Sequence, residues 1–236
     1  MPAERSAPAP SQTLSRGIRL LEILAAAERR LSIDELATAL GVHRSIAYRM
    51  LRTLEGHGLV SRDDAGRLGL GAGLAALAAG VARDLQQAAR PELDAVANEL
   101  GMTCLLAVLL DDEAVTLASA APRRTAAVVS YRPGHRHPVT QGAPGKAILL
   151  ALPGEAWPAG MPGAMREELA ASRARGYAVS HDEVVASLRS VAVPLTLPNQ
   201  PPASIAVIHV SLPLPEEEIA ARLTRAVGDV SRAYGA

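Results

Sequence analysis

Between Ile33 and Arg62 the chain reads IDELATALGVHRSIAYRMLRTLEGHGLVSR, and the spacing of its apolar residues allows few folds. Leu36, Ala37 and Leu40 fall on one face of a helix. Gly41 follows, with the backbone freedom that an abrupt helix end needs. Val42 plugs the angle after it, and Ala47, Met50, Leu51 and Leu54 form the apolar stripe of a second helix. Ala37 is small where two helices joined by a tight turn must cross closely. The segment predicts two short helices and a following strand, a winged helix-turn-helix. Arg44, Ser45, Tyr48, Arg49 and Arg52 are left on the outward face of the second helix. Guanidinium forks, a hydroxyl and an amphipathic ring are groups that read base edges and phosphates in a major groove. Double-stranded DNA is the partner that this face predicts.

Global charge does not carry the argument, because 24 Lys and Arg balance 24 Asp and Glu. Local charge does. Between Gly41 and Arg62 the arginines at 44, 49, 52 and 62 meet Glu55 alone. Acids gather elsewhere, at Asp111-Asp112-Glu113 and Glu216-Glu217-Glu218. Such separation suits a protein that meets phosphates with one face. Cys104 is the only cysteine, which excludes an intramolecular disulfide and fits a reducing cytoplasm. No apolar run is long enough for a bilayer, and no secretory leader pattern is present. The expectation is a cytoplasmic protein without a membrane span.

Residues 1–12 are rich in Pro, Ala and Ser and predict a disordered tail. The winged helix-turn-helix domain is expected over 13–71, with Ile18, Leu21, Ile23, Leu24 and Leu31 as its further apolar surface. Leu59 to Leu70 predicts a hairpin that turns at Asp63-Asp64-Ala65-Gly66. Arg62 and Arg67 flank that tip and Arg16 lies on the first helix, all three placed to meet the sugar-phosphate backbone. The Ala/Leu-rich stretch Gly73 to Gln87 predicts one long linker helix (72–88), a surface on which two copies can pair. Pro91 then opens another helix, which Gly101 closes. From 89 to 236 strands and helices alternate. Met102–Leu109 and Ala114–Ala120 read as a hairpin, Ala126–Tyr131 as a third strand, and Val191–Leu197 and Ala203–Ser211 as the last two. Ala143–Ala151 and Gly163–Arg175 read as helices, and Pro215 opens a terminal one lined by Ile219, Leu223, Val227 and Val230. The expected class is multidomain: an α-helical winged domain, then an α+β domain on an antiparallel sheet.

The order of these segments resembles the isocitrate-lyase-regulator (IclR) family of bacterial transcription factors, from Leu14 to about Ala233. TLSRGIRLLEIL is similar to the family's opening helix, and LSIDELATALGVHRSIAYRMLRTLEGHGLV to its DNA-binding core. HPVTQGAPGKAILLALP is similar to its segment ending in Gly-Lys-Ala. ARGYAVSHDE and SLRSVAVPL match two further segments. The resemblance implies a linker helix, a GAF-like effector domain, and homodimers or homotetramers that control catabolic operons through small, often anionic, metabolites. Thr140-Gln141-Gly142-Ala143 departs from the family's His-Ala-Thr-Ala. Ser190 stands where cysteine is common, and Ser187 where glycine is common.

For the effector, Ser130, Thr140, Gln141, Gly142, Gly145, Ser190 and Ser211 are the candidate lining residues, with Arg189 as an anion partner. The N–H groups that open the Ala143 helix form a natural carboxylate cradle. Lys146, the sole lysine, either pairs with a carboxylate ligand or holds Asp182 or Glu183 in an ion pair. His135 and His137 alternate as two metal ligands could, but the segment has no third ligand nearby and reads as a solvated loop. Cys104 reads as core. No cofactor or metal is expected. A hydrolase or amidase using Lys146, Ser190 or a histidine is the competing class, and a sensor acting through protein contacts alone is the third. Neither a nucleophile elbow nor a phosphate loop supports the enzyme.

Overall fold

A computed structural model describes residues 11–123, 129, 131–211 and 213–236. Two compact units emerge, Met1–Val81 and Ala82–Ala236. Most of the expected tail, and the expected strand Ala126–Tyr131 apart from Val129 and Tyr131, lie outside the described residues.

The first unit holds helices α1 (Gln12–Ala26), α2 (Ile33–Leu40) and α3 (Arg44–Gly56), strands β1 (Val60–Arg62) and β2 (Leu68–Leu70), and helix α4 (Gly73–Ala78). The Ser11 side chain accepts the Leu14 N–H, so residues 11 and 12 belong to the first helix and not to a tail. Ser32 and Glu35 close a reciprocal capping box at the start of α2. Gly41 ends that helix at φ +68°, a conformation that costs a side-chain-bearing residue. Leu20, Leu24, Ile33, Leu36, Met50, Leu51, Val60 and Leu68 fill the core between these helices and the hairpin. Leu20 takes the inward position in α1, whereas Ile18 is half exposed. Two residues turn a helix by roughly 200°, so the two cannot share a face.

The expected linker helix is broken. After α4 the chain turns through Ala79–Ala82, with Ala82 at φ +42°, before helix α5 (Arg83–Leu100) begins the second unit. No residue of α4 is buried, and beyond the bond from the Gly73 N–H to the Gly58 carbonyl at 2.9 Å little packing extends it. Pro91 does not open a helix; it lies inside α5. Leu85, Ala89, Leu93, Val96 and Ala97 form one buried stripe that runs past the proline, and their burial outweighs the hydrogen bond it removes.

The second unit continues with β3 (Thr103–Leu110), β4 (Glu113–Ala120), β5 (Arg136–Pro138), α6 (Gly142–Ala151), α7 (Gly163–Arg175), β6 (Ala178–His181), β7 (Arg189–Leu195), β8 (Ala203–His209) and α8 (Glu216–Tyr234). The six strands form one antiparallel sheet in the order β5-β4-β3-β8-β7-β6. Alternate residues serve opposite faces. Cys104 and Leu106 of β3, with Val207 of β8, meet α5 and α8, while Leu105, Ala107 and Ala206 meet α6 and α7. Small residues let α6 lie close to the sheet. A Cβ on Gly145 would stand 2.5 Å from the Val139 carbonyl oxygen, and the Ser204 hydroxyl donates to the Pro144 carbonyl at 2.9 Å. Strands β5 and β6 are too short for alternation to show in the sequence.

Candidate nucleic-acid interface and effector cavity

Helix α3 turns Ala47, Met50 and Leu51 inward, and Arg44, Ser45, Tyr48, Arg49 and Arg52 are all exposed on its other side. His43 caps the helix: its Nδ1 accepts the Ser45 N–H at 3.3 Å and lies 2.9 Å from Ser45 Oγ. An Nδ1 that accepts from the amide leaves the Ser45 hydroxyl to donate to it as well. Arg44 reaches Asp34 of α2 at 2.9 Å, and Arg62 reaches Glu55 at 2.9 Å and the Gly66 carbonyl at 3.3 Å. The Arg44 pair is open to water on both sides and holds it with well under the strength of a phosphate contact. Arg16, Arg49, Arg52 and Arg67 form no ion pair among the described residues. Arg16 and Arg49 line one depression between α1 and α3 with Thr13, Ile46, Met50 and Thr53. In the hairpin, Asp63 Oδ1 accepts the Arg67 N–H and Gly66 turns at φ +76°, which sets Arg67 exposed at the tip.

The second unit carries a cavity of about 30 Å³ lined by Tyr131, His137, Gly142, Ser180, Glu183 and Ser190, with Pro144, Val184, Val185, Leu188 and Ile208 as its apolar wall. Only Gly142 and Ser190 of the expected lining residues are there. Ser190 faces inward, buried, with its hydroxyl donating to the Val207 carbonyl at 2.8 Å. Gly145 is spent on helix packing. Thr140 and Gln141 precede α6 outside the cavity, Ser211 is exposed beside His209, and Ser130 lies outside the described residues.

The two expected cations are not turned to the cavity. Arg189 is exposed and lines a neighbouring open depression with Glu168, His181 and Glu216, and that depression shares Ser180 and Glu183 with the cavity. Lys146 is 2 % exposed, and its ammonium donates to Glu168 and Glu183 at 2.6 Å each. Of the two roles open to it, the ion pair with Glu183 is the one formed. The N–H cradle of α6 is likewise filled from within: Gly142 donates to Glu183 Oε2 and Ala143 to Ser180 Oγ, each at 2.9 Å. A ten-residue helix whose start is buried needs such partners for its first N–H groups.

His137 is buried and not solvated, because β5 pairs with β4 and turns every second residue inward. Its Nδ1 lies 3.0 Å from the Pro138 carbonyl, which can only accept, so Nδ1 carries the proton. His135 packs at a tilt of 51° against Tyr131, 4.3 Å between ring centres, and its Nδ1 has no partner among the described residues. Burial first, and then His137, hold the His135 imidazole below its ordinary proton affinity. Burial pushes the Tyr131 hydroxyl up to about 12, so it stays a donor. Tyr131, Ser180 and Glu183 escaped the lining list because they converge from segments far apart in sequence; only Glu183 left a trace, as a partner for the lone lysine. Cys104 is fully buried, and burial pushes its thiol far above the ordinary range. Among the described residues no helix is long and apolar enough to cross a membrane.

Residues 13–64 match the model of the IclR helix-turn-helix domain, and residues 78–234 that of the bacterial transcriptional regulator IclR C-terminal domain. The glycerol operon regulatory protein of Streptomyces coelicolor is 30% identical over 240 residues, covering 94% of each chain. The transcriptional repressor IclR of Escherichia coli K12 is 27% identical over 99% of this chain and 94% of its own. Among solved structures, an IclR transcriptional regulator from Alicyclobacillus acidocaldarius superposes with a TM-score of 0.84 at 28% identity, covering 96% of this chain and all of that one. Both units and nearly the full length are accounted for together, and the chain belongs to the IclR family of bacterial transcriptional regulators.

Proposed function

We propose that this protein regulates a catabolic operon by binding operator DNA through α3, under the control of a small metabolite held in the cavity beside α6. The observation that carries the DNA reading is the exposed face of α3, where Arg49 and Arg52 have no acidic partner among the described residues. Arg44, Ser45, Tyr48 and Arg49 take the base edges, while Arg16, Arg52, Arg62 and Arg67 take phosphates. One such helix reads few base pairs, so two or four copies act together. Leu14 and Ile18 of α1 and Leu77 of α4, all exposed apolar side chains, support self-association. The arrangement favours a binding protein over an enzyme. Ser190 gives its proton to a backbone carbonyl and not to a base, and Lys146 is held as an ammonium between two carboxylates. The place of action is the cytoplasm, where the operator is.

Selection of bound genomic fragments by the purified protein tests this reading. Recovery of one promoter region, released or strengthened by a metabolite of the adjoining operon, is the expected result. Retention of fragments without sequence preference would overturn it.

A further inference from the structure

The cavity has a defined hydrogen-bonding character. Glu183 contributes a carboxylate whose oxygens each have one bond, to Lys146 and to the Gly142 N–H, and each keeps a further lone pair. Ser190 presents an acceptor, because its own proton goes to Val207. His137 lines the space as well, with its Nδ1 engaged by the Pro138 carbonyl. Against these stand two donors, the hydroxyls of Tyr131 and of Ser180, the latter already accepting from Ala143. No unpaired cation lines the space, and its remaining wall is Pro144, Val184, Val185, Leu188 and Ile208.

We propose that Glu183 sets the chemical class of the effector: the cavity takes an apolar molecule bearing a hydroxyl, seated on the Glu183 carboxylate, and rejects a carboxylate at that position. This rests on the reading of the cavity as the effector site. A hydroxyl supplies the donor that the acceptor-rich end lacks, and its apolar body meets the five aliphatic and proline side chains. A carboxylate there would face Glu183 at close range, with Lys146 already shared by two acids and Arg189 lining the neighbouring depression and not the cavity. The present volume of about 30 Å³ holds about two waters, so a larger body displaces the apolar side chains Val184, Val185 and Leu188, while Glu183 stays tied to Lys146 and to the Gly142 N–H. Those residues lie in the connection from β6 to β7, which passes through two non-glycine residues at positive φ, Asp182 and Ser187, and is tied across its base by the Ser187 N–H to Asp182 Oδ1 and the Asp182 N–H to the Leu188 carbonyl.

Matched pairs that share a body and differ in head group test the proposal on the full-length protein. Phenol against benzoate, and 1-butanol against butyrate, are titrated by ligand-observed NMR and calorimetry at pH 7. The alcohols are expected to bind about tenfold or more tightly than their acids, and Glu183→Gln to narrow that gap severalfold by removing the repelling charge. Melting curves establish that the variant is folded, and the wild-type comparison stands without it. Equal affinity, or a preference for the acids, in the wild type would overturn the inference and leave the effector site in place. An unchanged gap in folded Glu183→Gln would also overturn it. If none of the four probes binds saturably, the cavity is not a ligand site, and the effector reading falls with the inference.

Discussion

Arg49 sits one turn and a little beyond Arg44 on the exposed side of α3, with Arg16 across the same depression and no acid beside it. Its replacement by alanine is expected to weaken operator binding by about 1–3 kcal/mol and to relax the preference at one base pair. Arg67→Ala is expected instead to weaken all sequences evenly and to lower the slope of affinity against salt by about one. Fluorescence anisotropy over a salt series, with single base-pair changes in the operator, separates the two. Lys146 supports a different prediction. Its partners are partly exposed and can turn to water, so Lys146→Met is expected to lower the stability of the second unit by roughly 2 kcal/mol, below what a fully buried pair would give. A urea titration followed by tryptophan fluorescence reads this through Trp157, which packs beside α6 and donates to the Leu149 carbonyl. Glu35 gives a pH dependence with a defined sign. The bond from Arg29, with those from Ser32, holds its carboxyl at about 2, below the ordinary 4.5. A depressed carboxyl stabilises the fold above its unfolded value and stops doing so as pH falls toward 2. Between those limits the first unit is expected to lose stability on acidification, and Glu35→Gln to flatten that part of the profile in thermal melts.

Each helix of the first unit depends on a few side chains that the sequence names plainly. Leu51→Ala, at a fully buried position of α3, is expected to cost about 2–5 kcal/mol and to abolish DNA binding by unfolding that unit. Gly145→Ala is expected to push α6 off the sheet by crowding the Val139 carbonyl, lowering the melting temperature while the first unit keeps its far-ultraviolet signature. The helix-turn-helix was legible because its signals are local: a 3.6-residue stripe in each helix and a glycine at a helix end. The sheet's central strands were legible because they are buried on both faces and run almost without polar residues. What sequence alone mistook turns on tertiary contacts, present in one place and missing in another. Pro91 reads as a helix start, yet the stripe from Leu85 to Ala97 carries the helix through it. The alanines of 75–79 read as continuous helix, but with no buried face they hold only α4. The cavity was the least legible part. Glu183 and Ser180 come from β6 and the segment after it, Tyr131 and His137 from either side of a turn, and their meeting at Gly142 depends on the whole sheet order.

For the molecule as a whole, control by a metabolite is a shift between populations, and it requires the effector to favour one DNA-binding geometry over another. A coupling of about 1–3 kcal/mol between cavity and operator is enough for a useful switch, and linkage requires operator DNA to change effector affinity by the same factor. On the proposed reading two copies act together, and the operator is then expected to be a palindrome with half-sites about 34 Å apart or a multiple of that. Footprints of the wild type and of Arg49→Ala on the same fragment show both the spacing and its dependence on α3. The most direct measurement of the central claim is binding of full-length protein to its selected promoter fragment against an excess of unrelated duplex, for wild type and folded Arg49→Ala side by side. The account predicts that the wild type holds its fragment through the competition and that the variant is displaced. Equal retention of the two proteins, or displacement of the wild type as readily as of the variant, would contradict it.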